Sequence, residues 1–169
     1  EVPVIVTEEQ LIVKVVNSSS AAAVTVSGIA AGTTTPTTLS AGFLINDGLI
    51  AASAHVGIVP GQTYQINFAD GKVVAAEAVH AADAPVAILK LKEVVAGITP
   101  LVLVTEGASV GQTVIAIGTT GEAPSVAVGI ISGTTKDGTT GIAKMRTSAA
   151  NIENIGAVLL NVQGKVVGL

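Results

Sequence analysis

Apolar residues recur along this chain with two different periods. Near the start, Leu11, Ile12, Val15 and Val16 fall at helical spacing. They follow Thr7-Glu8-Glu9-Gln10, which has the form of a capping box. The pattern predicts a short amphipathic helix from about Glu8 to Asn17. From Ala23 onward the runs become short, alternating or wholly apolar, and are separated by Gly, Thr, Asn and Asp, which is the pattern of strands and turns. Ala23–Ala30 reads as a first strand and Gly32–Thr38 as a loop. Phe43–Ile45 and Leu49–Ala52 flank the turn formers Asn46-Asp47-Gly48 and make a hairpin. Thr63–Phe68 and Lys72–Val79 flank Ala69-Asp70-Gly71 and make a second. Val86–Leu91 brings the strands to six, enough for a closed barrel. The second half predicts five: Thr113–Ile117, Ser125–Ser132, Ile142–Thr147, Ala157–Val162 and Lys165–Leu169. Gly129 lies inside one of them, where a bend or bulge is expected. The expected class is all-β, with one short helix ahead of the strands.

Composition narrows the picture. Of the 169 residues 49% are hydrophobic and only 2% aromatic, so the core must be built from Ala, Val, Ile and Leu. Many of these are β-branched, which again favours strands. The net charge is −4 and there is no basic block, so the chain lacks the footprint of a nucleic-acid binder. No apolar run approaches the ~18 residues of a membrane helix, and no membrane segment is expected within the chain. The start at Glu1-Val2-Pro3 has no basic stretch and no initiator Met. The expectation is a processed product or excised piece, with any signal, anchor or further domain outside it. There is no cysteine, which removes disulfides and thiolate metal sites. His55 and His80, with scattered carboxylates, form no metal motif. Gly118-Thr119-Thr120-Gly121 is not a phosphate loop, because no Lys-Ser/Thr follows. No cofactor and no metal are expected.

The stretch with chemical content is Ala41–Val56, AGFLINDGLIAASAHV. Its second strand ends on Ser53-Ala54-His55-Val56. A His at the end of a buried strand, before a loop, serves either as a catalytic base or as a core residue held by a backbone hydrogen bond. The segment resembles the strand–turn–strand–His segment of trypsin-like serine peptidases, specifically the HtrA/DegP group, in which a GSGF(I/V)I–DG–(I/L)(I/L)TNAHV stretch delivers the base. Four further stretches resemble the same group in the same order. They are FADGKVVAAEAVHAADAPVAILKLK, VTEGASVGQTVIAIGTTG, SVAVGIISG and NIENIGAVLLNVQGKVVGL. The resemblance covers most of the chain from about Val24. It implies a pair of six-stranded antiparallel barrels with the active cleft between them. Residues 1–22 would then be an extension and helix, 23–91 the first barrel, 92–100 a linker and 101–169 the second barrel.

Acyl transfer on this fold needs a nucleophile, a base, an acid that orients the base, and two backbone N–H groups as an oxyanion hole. The resemblance places His55 on the base. Pro85 stands where the family's DIALLK has its Asp, and Asp83 lies two residues earlier. Ile155 stands where the family's GNSGG has its Ser, and Glu153 replaces the Gly of the oxyanion turn. Isoleucine has no lone pair with which to attack a carbonyl. The expectation is therefore a pseudopeptidase, with His55 a relic or a binding residue and Ile155 buried among apolar neighbours. Its expected partners are extended peptides or proteins, and by resemblance its place is periplasmic or at the cell surface. Two alternatives come from other classes: an active serine endopeptidase with a displaced nucleophile, and a structural subunit of a surface assembly. The resemblance also implies one more strand after KVVGL. The edge at Leu169 is thus expected to be unpaired and open to self-association, unless the alternating segment Glu1–Val6 or a neighbouring molecule fills it.

Overall fold

The computed structural model describes residues 7–29, 34–46, 48–80, 85–119, 123–136, 138, 143–149 and 155–169. Glu1–Val6, Asp83 and Glu153 therefore lie outside the described residues.

The capping box forms as the sequence predicts. Gln10 N–H donates to Thr7 Oγ1 at 3.3 Å, and Thr7 N–H donates back to Gln10 Oε1 at 3.1 Å. Helix α1 covers Glu8–Ser19 and passes into a 3-10 turn over Ser20–Ala22, so it runs beyond Asn17. The extension has a local cause. The Ser18 and Ser20 hydroxyls donate to the carbonyls of Val15 and Val16, side chain-to-backbone bonds that add to the Ser20 N–H bond to Val16 O and hold the last turn closed.

Six strands follow: β1 Ala23–Ile29, β2 Pro36–Asn46, β3 Leu49–Ser53, β4 Thr63–Phe68, β5 Val73–His80 and β6 Val86–Leu91. They close into a barrel in the order β1-β2-β3-β6-β5-β4, every pair antiparallel, with β4 returning to β1. Val24, Val26, Ile50, Ile66, Ala76 and Leu89 are fully buried in its core. One expectation is corrected here. Pro36–Thr38, read as loop, begin β2 and pair with Ile29, Gly28 and Ser27. A proline at the first residue of a strand removes no ladder donor from its interior, and Thr suits the pleated surface.

The second half has β7 Thr113–Thr119, β8 Pro124–Lys136, β9 Ala143–Thr147, β10 Val158–Leu160 and β11 Val166–Gly168. Its five strands lie in the order β11-β10-β7-β8-β9. β8 has 13 residues and serves two partners: Pro124–Ile130 pair with β7, and Ile131–Lys136 pair with β9. Gly129 sits at no bulge, because its pairing with Val114 is in regular register. A Cβ there would lie 2.4 Å from the Ala149 amide nitrogen and 2.6 Å from Ser148 Oγ, so the glycine permits a close approach of β8 and the segment that follows β9. The edge expected to be open at Leu169 is covered in part by the chain itself. Val166 N–H donates to the Val102 carbonyl at 2.8 Å, and Val104 N–H donates to the Val166 carbonyl at 2.9 Å. Segment 102–104 thus runs parallel to β11 on the side away from β10.

The halves share a core. Ile115, Ile117, Val158, Leu160 and Val166 pack into the cluster centred on the first barrel, while Val114, Ala116, Ile131 and Ala149 form a smaller one. Between β1 and β7 the buried hydroxyls of Thr25 and Thr119 are hydrogen-bonded to each other. The fold is a double barrel, one closed and one a curled five-stranded sheet, with a short helix in front. Among the described residues no helix is long and apolar enough to cross a membrane.

Candidate functional site

Three adjacent strands of the first barrel, in the order β2-β3-β6, define the site where β3 ends and β6 begins, against the middle of β2. β3 finishes at Ser53, and Ala54–Val56 turn off it as one 3-10 turn. Gly57 then reverses the chain at φ 81°, a left-handed conformation that costs little only without a Cβ. This turn carries His55, whose side chain is exposed. Pro85 comes next to it: Ser53 pairs with Val86, and Ala54 N–H donates to the Pro85 carbonyl at 3.0 Å.

The third position arrives from the second half of the chain. Gly42 pairs with Ala52, so the next residues along those strands are Ala41 and Ser53. Ala41 N–H donates to the Ile155 carbonyl at 2.8 Å. Gly156 follows at φ 84°, and a Cβ on it would lie 2.4 Å from the Ala41 carbonyl oxygen. Backbone contacts therefore bring His55 and Pro85 together where β3 ends and β6 begins, and dock Ile155 on Ala41, midway along β2 and one residue from the last β2–β3 pair. These are three of the four positions singled out from the sequence. The fourth, Glu153, and the alternative acid Asp83 lie outside the described residues.

The expected burial of Ile155 is corrected: its side chain is 56% exposed. The hydrogen bond from Ala41 and the tight fit of Gly156 dock the backbone of this segment on β2, and the side chain is left to solvent. An exposed isoleucine forgoes the roughly 1.5–3 kcal/mol that burial brings. It presents an apolar side chain to solvent next to the backbone docked on Ala41 instead.

Two hydroxyls bear on where a displaced nucleophile could stand. Ser40 neighbours Gly156, with its Cβ 3.3 Å from the Cβ position of that glycine. It is 3% exposed, and its Oγ has no hydrogen-bond partner among the described residues. Nothing in the sequence marks it, since it reads as one more polar residue after the Thr run. Ser148 is exposed, and its Oγ accepts from Ile130 N–H at 3.0 Å, tying it to the β8–β9 region. His80 ends β5 and is exposed. Among the described residues no three His, Cys, Asp or Glu side chains gather as metal ligands do.

Comparison with known proteins bears on the whole arrangement. A family model described as "Trypsin-like peptidase domain" matches residues 40–169, which include His55, Pro85 and Ile155. The crystal structure of the serine endoprotease from Yersinia pestis aligns with a TM-score of 0.74 at 24% identity, covering 100% of this chain and 58% of that one. The crystal structure of Deg5 aligns with a TM-score of 0.74 at 25% identity, covering 98% of this chain and 86% of that one. The chain thus spans little more than half the length of the Yersinia protein. No curated protein matches it.

Proposed function

The chain belongs to the trypsin-like peptidase family, and from that premise we propose that it keeps the fold of an HtrA-like serine peptidase domain without its hydrolytic chemistry. The observation that carries the reading is the set of side chains at the meeting point of β2, β3 and β6. Pro85 adjoins the His55 turn and Ile155 is hydrogen-bonded through its backbone to Ala41, and on the reading proposed here these two residues stand where the chemistry needs a carboxylate and a hydroxyl. Without the acid the imidazole is not held in the tautomer that accepts a proton from a nucleophile. Without the hydroxyl there is nothing to deprotonate. The neighbouring hydroxyl of Ser40 is buried, and burial denies it a substrate carbonyl. Glu153, in place of a glycine at the oxyanion turn, would add a negative charge where an oxyanion must develop.

What remains is a place to bind. The exposed Ile155 side chain and the backbone around it offer an apolar contact to an extended segment, and sheet edges of such a cleft offer main-chain hydrogen bonds. The proposed role is recognition of extended peptide or protein segments without cleavage, in an extracytoplasmic setting. A fluorophosphonate probe tests the loss of chemistry. The purified chain is expected to remain unlabelled under conditions that label an active serine peptidase completely. Covalent labelling of any serine would refute the proposal in favour of a displaced nucleophile.

A further inference from the structure

Alternation along β7, β8 and β9 sorts their side chains onto two faces of the second sheet. On one face Val114, Ala116, Ile131 and Ala149 form the smaller cluster, with Met145 packed against it. On the other face Ile115 and Ile117 of β7 belong to the core shared with the first barrel. Their partners on β8, Val128 and Val126, lie on that same face, and so does Ile130 opposite Thr113. On β8 this face runs out into solvent: Val126 is 40% exposed, Val128 47% and Ile130 48%. The three side chains form an apolar stripe about 13 Å long, at every second residue of a strand.

The stripe ends on cations. Arg146 follows Met145 along β9 and so points to the opposite side of the sheet, the side of the stripe. It pairs with Gly133, and a Cβ on that glycine would lie 3.3 Å from Nη2 and 3.4 Å from Nε of Arg146. The guanidinium therefore lies against β8 just past Ile130, in space that a side chain at Gly133 would crowd. Lys144, two residues along β9, shares the face of Arg146 and pairs with Thr135. Residues 123–149 carry three cations against one carboxylate, Asp137, a net of +2; the rest of the chain carries five against eleven, a net of −6. On the β7 side, Thr113 Oγ1 donates to Glu8 Oε1 at 3.0 Å, so the basic border of the stripe is the β9 side.

We propose that this face of β8 and β9 docks an extended acidic segment of a partner protein, apolar at alternate residues over the stripe and ending in carboxylates over Arg146 and Lys144. The site is separate from the His55 turn, and it stands whether or not the chain has hydrolytic chemistry. Charge decides between this occupant and others. A second copy docked through a two-fold axis would set the same patch against itself, and Arg146 and Lys144 would face their own copies. A bilayer is held by clusters of about four to eight Lys or Arg, with Trp and Tyr as interfacial anchors. Among the described residues this face has two cations. The chain has no Trp, and its three aromatics, Phe43, Tyr64 and Phe68, are buried. An acidic segment of period two meets both the stripe and its basic end.

Fluorescence polarisation with two labelled peptides tests the docking: Val-Thr-Val-Thr-Val-Thr-Glu-Thr-Glu, and the same sequence reversed, so that both directions are covered. At least one is expected to bind the full chain saturably, and its form with Gln in place of Glu about tenfold more weakly. Val128→Ser and Arg146→Gln are each expected to weaken binding about five- to tenfold. Val73→Ser, on the exposed side of β5, is expected to leave it unchanged. Arg146→Glu should prefer the peptide that carries Lys in place of Glu, a reversal that loss of folding cannot produce. Failure of both peptides to bind, or equal binding of the Gln form, would overturn the proposal. Sedimentation with phosphatidylserine vesicles that Val128→Ser abolishes, with the peptides unbound, would overturn it and assign the face to lipid. A dimer in light scattering that Val128→Ser dissociates, again with the peptides unbound, would overturn it and assign the face to a second copy.

Discussion

Gly156→Ala probes the contact that builds the candidate site, and its cost can be worked out from the geometry. Gly156 has φ 84°, and a left-handed backbone costs a non-glycine residue about 1–2 kcal/mol. Its new methyl group would stand 2.4 Å from the Ala41 carbonyl oxygen. Carbon and oxygen ordinarily approach no nearer than about 3.3 Å, so the segment must retreat from β2 by about 1 Å. Overpacking of this kind costs about 1–3 kcal/mol. The sum is about 2–5 kcal/mol, and at ~2–4 °C per kcal/mol for a chain of this size Tm falls by about 4–20 °C. Gly61→Ala is the matched control. Gly61 has φ 79° with nothing within 4 Å of its Cβ position, so it meets the backbone term alone, about 2–8 °C. Thermal melts of the two variants, followed side by side by circular dichroism, separate the contact from the conformation. Equal losses would mean that the Ile155–Gly156 backbone is not docked on Ala41, and the site as described would not exist.

Three further outcomes follow from particular groups. Ile155→Ser alone is expected to leave casein turnover at background, because Pro85 still stands in place of the acid, whose loss costs about 10⁴ in kcat where it has been isolated; turnover well above background would show that another group orients His55. Thr25→Val is expected to destabilise by about 1–3 kcal/mol, because it strands the buried hydroxyl of Thr119. The double change to Val at both positions should recover part of that loss, and additive losses in denaturant titrations would contradict a direct pair. Ser40→Ala removes a buried hydroxyl that has no partner among the described residues, and it is expected to leave stability unchanged or raise it by ~1 kcal/mol; a loss above ~1 kcal/mol would mean that the Oγ is satisfied in solution.

The elements that were legible in the sequence are those whose signals are local. Thr7 and Gln10 cap α1 through side chains three residues apart, and Asn46–Gly48 and Ala69–Gly71 turn hairpins within a few residues. What escaped depends on partners distant in sequence. Pro36–Thr38 look like loop until β1 offers a strand to pair with. β8 outruns its apolar stretch because Thr134–Lys136 find β9, and a Thr-Lys run alone carries no packing period. Gly129 signals an irregularity, but only the approach of Ser148–Ala149, just after β9, decides that it is a close approach and not a bulge. The placement of His55, Pro85 and Ile155 followed from resemblance, since the residues around them have no pattern that chemistry alone would single out. The exposure of Ile155 ran against hydrophobicity. A backbone hydrogen bond from Ala41 fixed the segment, and the side chain took the side that remained.

Recognition without cleavage is tested most directly by native mass spectrometry of the intact chain after long incubation with a casein peptide. The account predicts the mass of the chain plus one full-length peptide, with the peptide recovered uncut. Peptide fragments, or a chain carrying the mass of an acyl adduct, would contradict it.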